Sequence, residues 1–200
     1  MNANSNPKRQ AILEAAKRVF LDHGYRGASM ESIAEAAPVS KPTLYHHFKC
    51  KQDLFAAVIL DRCENLLSTL LNVQTAREDP AASLKTIASA YVEMLYSKES
   101  LEFYRLIIAE QRHFPDFGNV VYRASAAPIF EQLSAYLGEL NAEGILHIPD
   151  VEAASQFFCG MLQGRKHFRC LMGLQPGLNQ TEKEELINAM VSLFLKGYDY

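Results

Sequence analysis

Apolar residues recur along nearly the whole chain at the three-to-four-residue spacing of a helix face, and no segment alternates at every second residue as a half-buried strand would. This pattern confines the chain to an all-α fold. Ile12, Ala16, Val19 and Phe20 form one stripe between Pro7, a favourable first-turn residue, and Gly24, a helix stop. Ser29 is suited to cap a second, short helix through Ala36 that turns Met30, Ile33 and Ala34 inward. Pro38 ends that helix. Ser40 caps a third that runs to Phe48, and Pro42 is tolerated in its first turn, where no intrahelical donor is lost.

From Lys51 a long helix to about Thr75 carries Leu54, Phe55, Val58, Ile59, Cys63, Leu66, Leu67, Leu70 and Leu71. Five more are expected near 80–96, 100–113, 116–141, 151–172 and 181–198. Pro80, Ser97-Lys98, Pro115, Gly144 with Pro149, and Gly173 with Pro176-Gly177 punctuate them. The reading is therefore nine helices, three short ones and then six mostly longer.

In 200 residues, 48% of them apolar, there is material for one domain or for a small module on a larger one, and too much hydrophobicity for disorder. The longest apolar run, Leu54 to Leu60, falls far short of the ~20 residues of a membrane span. Residues Met1 to Asn6 contain no apolar stretch of the kind a signal peptide needs. A soluble, cytoplasmic chain with no membrane partner is expected. Cys50, Cys63, Cys159 and Cys170 show no C-x-x-C pairing and read as reduced thiols.

Enzymatic classes find no support. The chain has no G-x-S-x-G, H-E-x-x-H, P-loop or dinucleotide fingerprint, and no His, Cys and carboxylate set at ligand spacing. No catalytic residue, cofactor or metal is expected. Charge is more informative. Residues 1–52 hold eight basic against four acidic residues, a net +4, while the remaining 12 basic and 19 acidic residues give −7. A basic end on an acidic body suits a polyanion at the end and a different partner for the body.

The three short helices, the second and third joined by Ala37-Pro38-Val39, have the layout of a helix-turn-helix, whose second helix enters the DNA major groove. In the candidate recognition helix Lys41, Thr43, Tyr45, His46 and His47 can donate to phosphates or base edges, while Leu44 and Phe48 face inward. Lys49 and Lys51 lie at the amino end of the long helix, where the dipole also favours a phosphate.

From Ile12-Leu13-Glu14-Ala15-Ala16 through Phe20, Gly24-Tyr25, Ser29-Met30-Glu31-Ser32-Ile33-Ala34 and Val39-Ser40-Lys41-Pro42-Thr43-Leu44-Tyr45-His46-His47-Phe48 to Lys51 and Leu54-Phe55, the sequence resembles the tetracycline-repressor (TetR) family. The resemblance implies a homodimeric bacterial transcription regulator with an N-terminal helix-turn-helix domain, 1–52, and a C-terminal ligand-binding and dimerisation domain, 53–200. By resemblance Lys41, Pro42, Thr43 and His46 touch bases, and Ser29, Tyr45, His47 and Lys51 grip phosphates. Two positions depart from the family pattern. Pro38 stands where a glycine is usual, so a ring that prefers φ near −65° occupies a position suited to positive φ. Cys50 stands where a small polar cap is common, and a thiol caps more weakly than a hydroxyl.

The body is rich in aromatic and methionine side chains, which serve either as core or as the lining of a pocket for an apolar or amphipathic effector. By inward phase on the helices that surround the family's cavity, the candidate liners are Leu66, Leu70, Met94, Phe103, Ile107, Tyr122 and Phe157. Gln163, Arg165 and His167 are either its polar groups or surface residues. Arg105-Leu106-Ile107-Ile108-Ala109-Glu110 with Phe114-Pro115 resembles an AcrR-like C-terminal subtype common among regulators of efflux and stress genes. Arg105 and Glu110, five apart, do not share a helix face and read as interhelical ties.

The final helix carries two apolar stripes, Leu186, Met190, Leu193 and Gly197, and Ile187, Val191, Phe194 and Tyr198, which implies burial on two sides. With Gly160 and Gly164 four apart on the preceding helix, this points to a two-fold dimer whose interface includes Gly160, Gly164, Ile187, Val191, Phe194 and Tyr198. A monomer in which that helix is central is the other way to bury it. The function expected is release from a palindromic double-stranded DNA operator by a small effector. A helical small-molecule carrier or adaptor without DNA binding is the alternative.

Overall fold

The computed structural model describes residues 6–76, 79–114 and 116–199. Residues Met1 to Ser5 and Pro115, on which the leader and one helix break were read, lie outside the described residues. Helix α1 (Pro7–Gly27) is followed by α2 (Met30–Ala36), α3 (Lys41–His47), α4 (Lys51–Ala76), α5 (Pro80–Tyr96), α6 (Lys98–Glu110), α7 (Phe117–Ala124), α8 (Ala126–Ala142), α9 (Val151–Leu171) and α10 (Gln180–Gly197). The fold is all-helical, with no strand among the described residues.

The expected caps explain where the short helices start. Ser29 Oγ accepts the Ser32 N–H at 3.0 Å and Ser32 Oγ accepts the Ser29 N–H at 3.1 Å, a reciprocal capping box. Ser40 Oγ accepts the Thr43 N–H at 3.3 Å. α1 breaks at Gly24, where φ is +71°.

One expected helix is divided. The segment near 116–141 is interrupted at Ser125, whose backbone leaves the helical region with φ −127° and ψ −72°. Pro128 is the cause: its ring excludes the carbonyl four residues back, so a helix passes that point only by starting anew just before it. The Ser125 hydroxyl donates to the Val121 carbonyl at 2.8 Å and satisfies the end of α7.

The described residues pack as two compact units, one of residues up to Arg62 with Glu102–Ser125, the other of Cys63–Leu101 with the described residues from Ala126 onward. This division does not follow the 52/53 boundary, because α4 and α6 each contribute to both. The first unit closes on an aromatic core. Phe55 meets Phe20 edge-on at 5.0 Å and Phe117 at 4.7 Å, and Tyr25 meets Phe117 at 4.5 Å between ring centroids. Pairs of this geometry contribute about 0.5–1.5 kcal/mol each beyond their burial. The second unit buries Leu84, Ile87 and Val92 of α5, Leu133 and Leu137 of α8, Phe158 and Leu162 of α9, and Val191 and Phe194 of α10 in one cluster. Leu71, read as part of the α4 stripe, is exposed instead.

Candidate nucleic-acid interface

Three side chains anchor the helix-turn-helix. Leu44 of α3 is fully buried, Phe48 nearly so, and Ile33 of α2 lies beside them in the same core. With those positions turned inward, α3 presents Lys41, Pro42, Tyr45 and His46 to solvent, while Thr43 and His47 are half-buried. The six residues expected to contact DNA from this helix thus ring its outer face.

Several are already engaged. Lys41 Nζ lies 3.5 Å from Glu31 Oε1 of α2, an exposed pair. That ammonium and the carboxylate's own backbone amide hold the Glu31 carboxyl below its usual pKa, the amide more strongly. The Thr43 hydroxyl shares a 2.8 Å hydrogen bond with Ser40 Oγ. Ser29 lies in the α2 capping box. Lys51 donates to the carbonyls of Tyr25 and Ala28 at 2.7 and 2.8 Å, so two of its three donors are spent inside the protein.

Residues not singled out in the sequence also belong to this surface. Arg9 of α1 lies over the Phe48 ring at 5.5 Å. The His47 imidazole titrates below its ordinary value, first because it is partly desolvated and then because His46, Arg9 and Lys8 repel the imidazolium. So the first turn of α1 stands beside the end of α3. A signal existed: Lys8 and Arg9 occupy that first turn, which holds no acidic residue, although cations there oppose the helix dipole. The turn itself is unusual. Pro38, exposed, has φ of +22°, far from the angle its ring prefers.

Leu66 and Leu70 are buried with Met94 against them in the second unit, whereas Phe103 and Ile107 pack in the core of the first. Tyr122 and Phe157 point outward, 54% and 61% exposed, because the inward positions of α7 and α9 are taken by Phe117 and Phe158. Gln163 donates to the Tyr91 hydroxyl at 2.7 Å, His167 is buried, and Arg165 is exposed.

The interface candidates are re-sorted in the same way. Ile187, Val191 and Phe194 are buried within the chain's own second unit, Leu186 and Met190 are partly buried against the same core, and of the other stripe only Leu193 and Gly197 are exposed. On α9, Phe157 and Gly160 are exposed before the break at Gly164, and Phe168 is exposed after it, as is Met172 at the helix's C-cap. An open groove of about 610 Å³ runs between the two helices, with Phe157, Gly160, Met161, Leu193, Gly197 and Tyr198 among its lining residues. α9 breaks at Gly164 (φ +46°), where the Tyr96 hydroxyl donates to the freed carbonyls of Leu162 and Gln163 at 2.9 and 2.8 Å.

Fold and outer face together have the layout of a helix-turn-helix protein. Residues 12–58 match the profile of bacterial regulatory proteins of the tetR family, and residues 82–200 match the C-terminal domain of AefR-like transcriptional repressors. The chain belongs to the TetR family. The HTH-type transcriptional activator FasR of Mycolicibacterium smegmatis is 36% identical over 100 residues, 50% of this chain and 45% of FasR. The HTH-type regulator UidR of Escherichia coli is 40% identical over 68 residues, 34% of this chain and 35% of UidR. This chain spans less than half the length of either curated relative. Among solved structures, a protein from Mesorhizobium loti assigned to the same family superposes with a TM-score of 0.79 at 28% identity, over 98% of this chain and 99% of that one. The flavonoid-responsive regulator FrrA gives 0.75 at 30% identity, over 95% and 96%. Among the described residues no helix is long and apolar enough to cross a membrane.

Proposed function

We propose that the protein is a cytoplasmic, homodimeric repressor that leaves a palindromic operator when a small apolar or amphipathic molecule binds its body. In this reading 1–52 is the DNA-binding domain and 53–200 the ligand-binding and dimerisation domain. The observation that carries it is the outer face of α3. Lys41, Pro42, Tyr45 and His46 are exposed side by side on a helix whose Leu44 is wholly buried. Lys41, Pro42, Thr43 and His46 are assigned to base edges. Ser29, Tyr45 and His47 are assigned to phosphates, joined by Lys8 and Arg9. Lys51 supports the surface with its remaining donor available to a phosphate.

Pairing is supported by the exposed Leu193 and Gly197 of α10, which line one groove with the exposed Phe157 and Gly160 of α9. One seven-residue helix reaches few bases, whereas two held at a fixed separation address half-sites about one helical turn, ~34 Å, apart. Repression is favoured by the extent of the AefR-like repressor match, 82–200, although FasR is an activator. A small effector is supported by the likeness to FrrA, which is flavonoid-responsive. Coupling of about 1–3 kcal/mol between effector and operator is usual for such linkage.

The test is a salt titration of binding to generic duplex DNA, followed by selection of a preferred duplex from a random pool. A regulator gives a steep negative slope of log K against log salt and enriches an inverted repeat. A carrier gives neither, and that result rejects the reading. A reporter driven by the enriched site then separates repression from activation.

A further inference from the structure

Just after the break in α1 a backbone donor is met by a side chain far away in sequence. After Gly24 the chain turns again, and the Arg26 N–H donates to Glu110 Oε1, the last residue of α6, at 3.1 Å. The same oxygen lies 3.2 Å from where a Cβ on Gly24 would stand, a tight approach, and Gly24 holds φ +71°, so glycine suits this position on both counts. On the other side of this turn Lys51, the first residue of α4, donates to the carbonyls of Tyr25 and Ala28. The Tyr25 ring is enclosed by Phe114 at 5.1 Å and Phe117 at 4.5 Å. Ser29, which follows Ala28, is the cap from which α2 starts. Residues 24–29, which decide where α2 and hence α3 begin, are therefore held by one acid and one base that come from elsewhere in the same compact unit.

We propose that Glu110 is a positioning residue for the DNA-binding surface: seated on the α1 break, its carboxylate sets the start of α2 and ties the placement of α3 to the segment 102–125. The proposal rests on the DNA-binding reading above. It makes a prediction opposite in sign to simple electrostatics. Removing a negative charge from a DNA-binding unit strengthens binding through the long-range field. Removing an acceptor that orients the unit weakens it.

The experiment compares full-length Glu110→Ala and Glu110→Gln with the parent protein. It reads affinity for a duplex across a salt series, together with amide hydrogen exchange in the absence of DNA. Glu110→Gln keeps an oxygen for the Arg26 N–H and is expected to bind as tightly as the parent or more tightly. Glu110→Ala is expected to bind about tenfold more weakly with an unchanged salt slope, since no phosphate contact is lost. Its Arg26 and Ser32 amides are expected to exchange faster. Binding by Glu110→Ala equal to or tighter than the parent overturns the proposal, as do unaltered exchange rates. Equal losses in both variants also overturn it, because the charge and not the acceptor would then be at work. If Glu110→Ala does not fold, Glu110→Gln decides: weaker binding by a folded Gln variant counts against the proposal, and retained binding supports it. A parent that binds no duplex defeats the DNA-binding reading instead, and the exchange arm still judges the tie.

Discussion

Lys51 donates to the carbonyl of Tyr25 at 2.7 Å while its ammonium lies 4.6 Å from the centroid of the same residue's ring. A lysine so held is first a brace for the turn before α2. Burial lowers its pKa, and the nearby Glu110 partly restores it. Lys51→Met is therefore expected to lower stability by about 1–3 kcal/mol, the usual worth of hydrogen bonds to a charged group, measured by denaturant unfolding. The slope of log K against log salt is expected to fall by less than one phosphate's worth. Unchanged stability with a full unit lost from the slope would make Lys51 a phosphate contact alone.

If the proposed DNA-binding role holds, His47 is expected to give the interface a pH dependence of definite sign. In the free protein its pKa lies below the ordinary value through burial and the charges of His46, Arg9 and Lys8. A phosphate beside these groups offsets the repulsion and favours the imidazolium, so the pKa in the complex is higher. Binding then takes up a proton, and affinity rises as pH falls through the histidine range, by up to about tenfold for each pH unit of pKa difference. His47→Gln is expected to flatten this dependence in anisotropy titrations between pH 8 and 6. An affinity that falls as pH falls contradicts the assignment.

What was legible in the sequence was local. The caps at Ser29 and Ser40 and the first-turn Pro42 were readable because capping chemistry spans three residues. Glu110 was recognisable as a tie, since it shares no face with Arg105, but its partner at Arg26 is 84 residues away and leaves no mark in the chain. The break at Ser125 was missed because Pro128 falls inside a stretch whose apolar period continues across it. Two stripes of α10 are almost equally apolar, and periodicity cannot say which packs inward. The neighbouring Phe158 on α9 decides that, meeting Phe194 edge-on at 5.1 Å. The same ambiguity holds on α9, where Phe158 takes the inward position and Phe157 faces the groove beside α10.

Pro38 holds the turn between α2 and α3 at φ +22°. A residue forced into a sparsely populated region costs about 1–3 kcal/mol, whereas glycine enters it freely but gives up proline's restriction of the unfolded chain, about 0.4–1 kcal/mol. Because Pro38 is exposed, its replacement forfeits little packing. Pro38→Gly is thus expected to stabilise by about 1 kcal/mol, roughly 2–4 °C in melting temperature for a chain of this length. A lower melting temperature would mean that the proline's restriction of the unfolded chain outweighs the strain.

Leu193 and Val191 lie two residues apart on α10 and separate association from folding. Leu193 is 57% exposed and lines the groove beside α9, whereas Val191 is 1% exposed in the core below. An aspartate at the first position meets solvent in the isolated chain but, in a pair, would be buried against apolar side chains without a partner. An aspartate at the second leaves an uncompensated charge in the core itself. Leu193→Asp is therefore expected to sediment as a monomer with the helical circular dichroism of the parent, and to lose most operator affinity because a single head reaches one half-site. Val191→Asp is expected to lose helicity and cooperative melting. A Leu193→Asp protein that still sediments as a dimer would move the pairing surface away from the α9–α10 face, and the operator reading would then need a different spacing between its two heads.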